Sequence, residues 1–386
     1  MRPVTARGFR DVLPAEAAER EIVARRFAEA SSAWGYELVE TPIVQDLVSL
    51  EAAAGPLDGI AFRLVDSDGR LLALRPDMTV PIARLVASRM AGEPGPLRFR
   101  YAAEVFREHE SLRGQMRGFT QLGVELVGEG GPAADAEMVA VMVEGLEAVG
   151  IRDFTVGVGT VAVLHAMVAA ADADAEWGRA VLEAAHNRNL VGLAELSRSA
   201  GNDRVAQALR VVPRIRGAAE AIDACREATA GLGCDDALDD LSATWELLVA
   251  AGVSQRVVID FSVMRSFDYY TGLVVEAFAP GLGLPLGGGG RYDGVLAAYD
   301  APLPAAGFAL GLERVMIALV EQGVEVPVAV LDAVVGGEPA AALRAAATLR
   351  AAGKRVVISP CVGSDLVAEA SRLGALEAIE AGGESS

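Results

Sequence analysis

"PLRFRYAAEVFREHESLRGQMRGFTQLGVELVG", residues 96–128, decides the fold. Two apolar runs, "PLRFRYAAEVFRE" and "RGFTQLGVELVG", bracket a polar loop, and this spacing predicts a long antiparallel hairpin. A shorter hairpin precedes it. In "AFRLVDSDGRLLALRP" (61–76) two apolar runs meet across Asp-Ser-Asp-Gly, a sequence suited to a tight turn. Further strands are expected far downstream, in "DFTVGVG", "RVVIDFSV", "GLVVEAFA" and the glycine run "LGLPLGGGGRYDG". Strands that are distant in sequence and largely joined by hairpins imply an α+β fold with a mainly antiparallel sheet flanked by helices, not a doubly wound parallel one.

Outward from these strands, residues 15–33 place Ile22, Val23, Phe27 and Ala30 at helical spacing, with Trp34 just beyond, so an amphipathic helix is predicted. "YELVETPIV" (36–44) reads as one strand ending near a proline. A helix over about 133–149 follows the long hairpin. The stretch from about 160 to 250 is alanine-rich and helical in period, broken at "NRNLVG", "SAGND" and "GLGCDD", which makes it a helical insertion. An apolar helix is expected to start near "FALGLERVMIALV". The predicted domains are a core over 1–323 and a small C-terminal α/β unit over 324–386, with strand "VPVAVLDAVV", helix, strand "RVVISP", helix, and a fraying "EAGGESS".

Composition narrows the function. The 386 residues are 52% hydrophobic and 23% charged, which suits a globular protein with a large core. No secretory signal or apolar run long enough to span a membrane is present, and a cytoplasmic location without membrane contact is expected. Cys225, Cys234 and Cys361 are odd in number and without CxxC spacing, so neither a disulfide framework nor a zinc site is expected. The formal net charge is −19, and Lys354 is the only lysine. Nucleic-acid binding rests on cations that neutralise phosphates, so no nucleic-acid partner is expected.

A glycine run alone makes turns more often than it binds ligands. "GGGG" (287–290), however, has "RSFDYYTG" (265–272) just upstream and "GLER" (311–314) just downstream. A glycine-rich strand admits a ligand close to the backbone, and Arg265 and Arg314 offer bidentate forks for a carboxylate or phosphate. Tyr269 and Tyr270, as strand neighbours, point to opposite faces, so only one of them reaches a pocket.

"RGFRDVLP", "LRPDMT", "FRE…RGFTQLGVE", "RSFDYYTG", "LGGGGRYDG" and "GFALGLER" resemble, in order and spacing, the signatures of histidyl-tRNA synthetases and their relatives. The resemblance spans roughly residues 7–320 and implies a class II synthetase-like core with a six-stranded antiparallel sheet, a homodimer and a pocket shaped for histidine. It places Asp77, Thr79 and Gln121 at the α-ammonium of histidine, and Glu125 and Tyr270 at the imidazole. Arg265 faces the carboxylate, and Arg107 is shared between carboxylate and nucleotide. Tyr269 completes the candidate histidine-binding set, while Arg117, Phe119 and Arg314 are candidates for a vestigial nucleotide site.

The sequence also departs from the synthetase pattern. The motif 2 loop resembles FRxERPQxGRxRxF but runs "FREHESLRGQMRGF", with His109 where an ATP-contacting glutamate belongs and Gln115 in place of an arginine. The 63 residues after Gly323 carry five Arg or Lys and eight Asp or Glu, a charge balance that repels an anticodon stem. With ATP and tRNA features lost and the histidine pocket kept, the chain is similar to the regulatory subunits of ATP phosphoribosyltransferase. That family implies no catalytic residue, metal or cofactor in this chain. It implies a short-form catalytic subunit as hetero-oligomeric partner, activation of that partner, and feedback inhibition by histidine. The alternatives are a divergent histidyl-tRNA synthetase and a free-standing histidine sensor.

Overall fold

The structure, a computed structural model, describes residues 4–108, 116–263 and 270–382. The chain divides into two compact units, Met1–Glu325 and Val326–Ser386. Numbered along the chain, the strands of the first unit are β1 (Glu37–Leu38), β2 (Val44–Asp46), β3 (Arg63–Val65), β4 (Leu71–Leu74), β5 (Leu97–Phe106), β6 (Gly118–Val127), β7 (Thr155–Thr160), β8 (Arg216–Gly217), β9 (Val257–Asp260), β10 (Leu273–Phe278), β11 (Gly287–Arg291) and β12 (Ala305–Gly311). Its helices are α1 (Pro14–Ala33), α2 (Leu47–Ala54), α3 (Thr79–Arg89), α4 (Gly131–Val149), α5 (Val161–Ala169), α6 (Ala175–His186), α7 (Leu190–Leu196), α8 (Asp203–Val211), α9 (Ala219–Ala228), α10 (Asp235–Ala250) and α11 (Leu312–Glu321).

Among the described residues, nine strands form one sheet in the order β1-β5-β6-β12-β11-β10-β7-β9-β8. The six from β5 to β7 are antiparallel throughout, while β1 and β9 add parallel to its two sides. The long hairpin sets the register, with Phe99 opposite Glu125 and Phe106 opposite Gly118. Both faces are covered, which is why every residue from Gln121 to Val127 is buried. On the rear face α1 and α4 pack; Val23 and Phe27 of α1 are buried, and Phe27 meets Phe308 of β12 edge-on, with ring centroids 6.1 Å apart. The insertion, α5 to α10, leaves the sheet after β7 and returns at β9. Pro14 in the first turn of α1 and left-handed Gly150 after α4 mark helix ends by their backbone preferences.

Three sequence expectations are corrected. The strand expected over 36–44 is two short ones: β1 joins the large sheet, and β2 joins a small sheet of order β2-β4-β3. The break falls at Thr41-Pro42, where proline has no N–H for a ladder. "FALG" is the end of β12, not a helix start, because its residues pair with both β6 and β11; the helix begins at Leu312. In the second unit the first strand starts at Ala333 rather than near 326; the last strand, Glu377–Ala381, takes in only the first two residues of "EAGGESS", whose last four lie outside the described residues.

That unit contains β13 (Ala333–Gly337), α12 (Pro339–Ala351), β14 (Val356–Ile358), α13 (Gly363–Arg372) and β15 (Glu377–Ala381), with parallel strand order β14-β13-β15. Val335 packs with Ala342 and Ala346 on one face, and Val334 with Leu366 and Ala370 on the other. A central strand buried on both faces needs a neighbour on each edge, and β15 supplies the second. Among the described residues no helix is long and apolar enough to cross a membrane.

Candidate functional site

The front face of the large sheet carries the site. Register partners share a face, so Gln121, Gly123 and Glu125 of β6 lie beside Ala103, Tyr101 and Phe99 of β5, and beside Gly311, Ala309 and Gly307 of β12. The next strand adds Gly288 and Gly290 to the same face. The result is a floor of small residues with a carboxylate lying on it. A Cβ at Gly307 would come within 1.9 Å of a Glu125 oxygen, and one at Gly123 within 2.4 Å of the Tyr101 hydroxyl. These two positions must be glycine for the side chains to lie flat.

Glu125 is fully buried and accepts three hydroxyl hydrogen bonds. Thr79 Oγ1 donates at 2.9 Å and Tyr101 at 3.1 Å to one oxygen, and Tyr292 donates to the other. Burial pushes its pKa up to about 7, against the three hydroxyls, which favour the anion; the nearby charge of Asp77 raises it further. Asp77 is also buried. Its pKa is raised by burial, opposed by Arg107 and by the N–H groups of Val80 and Thr79 at the start of α3. Val80 N donates to Asp77 Oδ1 at 3.2 Å. Gln121 is buried, and its Oε1 has no hydrogen-bond partner among the described residues. An orphaned buried acceptor is costly unless a ligand donor meets it. Tyr270 is buried, and its ring lies against Gly290.

Arg107 leads out of this pocket. Its Nε donates to Pro76 O at 3.0 Å, and its guanidinium stacks over Phe119 at 5.2 Å. Arg107, Phe119 and Arg314 line a cavity of about 370 Å³, together with Gly311, Leu284 and Ile317. Glu313, on the same rim, accepts from Arg20 at 2.7 Å and from Thr120 N. Arg117 does not line this cavity. Its guanidinium stacks on Phe62 at 4.2 Å, and its side chain fills the space beside Gly8 of "RGFRDVLP".

Thus Asp77, Thr79, Gln121, Glu125 and Tyr270 are brought to one face of one unit, and Arg107, Phe119 and Arg314 to the adjoining cavity. Arg265 and Tyr269, and the departures His109 and Gln115, lie outside the described residues. The sequence reading missed Tyr101 and Tyr292. Tyr292 sits inside the quoted "GGGGRYDG", and strand alternation two residues after Gly290 was a usable signal. Tyr101 carries no such flag.

A six-stranded antiparallel sheet with this face is the core of a class II aminoacyl-tRNA synthetase-like protein. The family model for histidyl-tRNA synthetase matches residues 8–315. A structure from Bacillus halodurans described as an ATP phosphoribosyltransferase regulatory subunit/histidyl-tRNA synthetase superposes with TM-score 0.87 at 30% identity, covering 97% of each chain. A histidyl-tRNA synthetase from Nostoc superposes with TM-score 0.81 at 23% identity, over 97% of this chain and 90% of that one, and shows the fold. The ATP phosphoribosyltransferase regulatory subunit of Moorella thermoacetica is 40% identical over 91% of this chain and 90% of its own. That of Symbiobacterium thermophilum is 38% identical over 97% of this chain and 96% of its own. The chain belongs to the histidyl-tRNA synthetase-like family, in the branch of the ATP phosphoribosyltransferase regulatory subunits.

Proposed function

We propose that this chain is the non-catalytic subunit of an ATP phosphoribosyltransferase complex and that its front-face pocket binds free histidine. It assembles with a short-form catalytic subunit, raises that subunit's activity, and makes it sensitive to histidine, the end product of the pathway that this transferase opens. The observation that carries the reading is the polar set of the pocket: two buried carboxylates, Asp77 and Glu125, and an orphaned Gln121 oxygen above a floor of small residues. Carboxylates so buried and held by no bonded cation among the described residues are costly, and a ligand bearing an ammonium and an imidazole N–H offsets that cost. Arg265 is the proposed partner of the ligand carboxylate, and Tyr270, whose ring lies against Gly290, completes the set. Feedback follows if histidine binds two states of the assembly unequally.

The chain is further proposed to form a homodimer through its first unit. Val44 of β2 and Leu64 of β3 share one face of the small sheet and are exposed, as is Val48 on α2. An apolar sheet face of this kind is suited to burial against a second copy.

The test is a histidine titration of transferase activity after mixing the purified chain with the short catalytic subunit, with calorimetry on this chain alone. Activation, inhibition by histidine, and a 10- to 100-fold weaker affinity in Glu125→Gln are expected, the order of about 1.5–3 kcal/mol for a lost charge-assisted bond. Equal affinity in Glu125→Gln refutes the pocket assignment. Charging of tRNA with histidine by this chain at a synthetase rate refutes the non-catalytic one.

A further inference from the structure

The hydrogen-bonding capacity of Glu125 can be counted oxygen by oxygen. An ionised carboxyl accepts about four hydrogen bonds, shared equally between its oxygens. Oε1 takes two of them, from Thr79 Oγ1 at 2.9 Å and from the Tyr101 hydroxyl at 3.1 Å. Oε2 lies over Gly307 and takes one, from the Tyr292 hydroxyl. One oxygen is therefore filled, and the other has a single acceptor position left. That position suits one N–H and not the two parallel bonds of a guanidinium fork, which need both oxygens.

The surroundings of Glu125 give a proton a claim on the same position. Asp77, ahead of α3, works against ionisation of Glu125, and Arg107 acts on Asp77 from the end of β5. The other titratable groups are phenols: Tyr101 of β5, Tyr292 after β11, Tyr270 before β10, and Tyr36 before β1, which senses the charge of Glu125. The neighbouring strand β12 has no ionisable side chain. No cation among the described residues bonds Glu125, and burial raises its pKa to about 7, so near neutral pH the empty pocket has a proton to place. With Oε1 occupied by two donors, that proton goes to Oε2, where a ligand N–H would point.

We infer, on the proposed histidine reading of this pocket, that the ring N–H of the ligand and a proton compete for the open position on Glu125 Oε2, so that histidine enters by displacing a proton and rings of the same shape without an N–H are rejected. The step balances. The O–H bond of the carboxyl breaks, the proton passes to the buffer, and the anion accepts the ligand N–H in its place. Histidine is then held more tightly at pH 8 than at pH 6, and feedback through this pocket strengthens as the medium turns alkaline. A ring that offers no N–H leaves a buried acceptor without a partner, which sets the specificity of the site.

Calorimetric titration of the full chain with L-histidine, at pH 6 and pH 8 in pairs of buffers that differ in ionisation enthalpy, counts the proton. Glu125→Gln is the reference, because it keeps the titration of the ligand's own ring and removes the carboxyl. At pH 6 the wild type is expected to release about one proton more than Glu125→Gln, and at pH 8 hardly more. With a pKa of about 7 the ionised fraction of Glu125 rises about tenfold between these pH values, so wild-type affinity relative to the variant is expected to rise by the same factor. Thiazolylalanine, with sulfur in place of the ring N–H, is expected to bind the wild type about tenfold more weakly than histidine at pH 8, or worse, and to release no proton at pH 6. Infrared difference spectra of the wild type, bound minus free, need no variant: a protonated-carboxyl band is expected to be lost at pH 6 and not at pH 8. Asp77→Asn is expected to keep that loss, which assigns it to Glu125. The competition is refuted, and the pocket reading stands, if Glu125→Gln loses affinity but releases as many protons as the wild type, if the band loss is absent or disappears in Asp77→Asn, or if thiazolylalanine binds like histidine. If calorimetry detects no histidine binding to the wild type at either pH, both fall.

Discussion

The two faces of the large sheet each hold a buried carboxylate, and they are treated in opposite ways. On the rear, Asp135 of α4 is held by Arg291 of β11, whose Nη2 donates at 2.7 Å and whose second fork reaches the same carboxylate through Nε. On the front, Glu125 is held by three hydroxyls, with no guanidinium among its described partners. Burial raises both pKa values, to about 6 for Asp135 and about 7 for Glu125. The rear carboxylate already has its cation and ties a helix to a strand. The front one has only neutral donors among the described residues, and this is the arrangement on which the proposed histidine pocket rests. A buried charge matched internally serves structure; one matched only by hydroxyls is the feature that the proposed pocket is built on.

The largest expected effect lies on the rear face. Arg291→Ala leaves Asp135 buried without its cation and is expected to lower stability by about 3–5 kcal/mol in urea denaturation. Adding Asp135→Asn is expected to recover part of that loss. A loss under about 1 kcal/mol means the pair does not hold α4 to the sheet.

Next is the pH dependence, where the sign follows from both shifts being upward. Folded Glu125 keeps its proton to about pH 7 against an ordinary 4.5, and folded Asp135 to about 6 against 3.8. The folded state therefore binds more protons than the unfolded state within these windows, and stability falls as pH rises through them. The share from Glu125 is on the order of 3 kcal/mol between pH 4.5 and 7. Denaturant midpoints measured over that range are expected to fall in the ligand-free wild type and to flatten in Glu125→Gln. An unchanged slope in the variant contradicts the front-face half of the comparison.

The smallest effect isolates one hydroxyl. Tyr292→Phe removes a single donor to Glu125 and is expected to weaken histidine binding by roughly 0.5–1.5 kcal/mol while pushing the Glu125 pKa further up. Calorimetry at pH 6 and pH 8 separates the two consequences, since the loss grows at the lower pH if protonation of Glu125 is responsible.

Much of the fold could be read from the chain because its hairpins are local. The Asp-Ser-Asp-Gly turn and the long 96–128 hairpin each carry both partners in one stretch, and α1 shows its face in Val23 and Phe27. What escaped was set by distant pairing. "FALG" is an apolar run that suits helix or strand equally, and only β6 and β11, far away in sequence, make it a strand. "EAIEA" has one β-branched residue, and its strand exists because β13 needs a second neighbour. In the site, charged and amide residues were visible through motif spacing, whereas Tyr101 and Tyr292 act through hydroxyls whose target is fixed by the sheet register.

The floor beneath Glu125 is made mostly of glycine backbone. Side chains can answer a ligand by changing rotamer, but a surface of bare peptide cannot, and its shape is fixed by strand pairing on both sides. Any signal that leaves the proposed pocket must then travel through what stands around the floor: the tyrosines and the start of α3. The bed is rigid, and only its borders can carry a message.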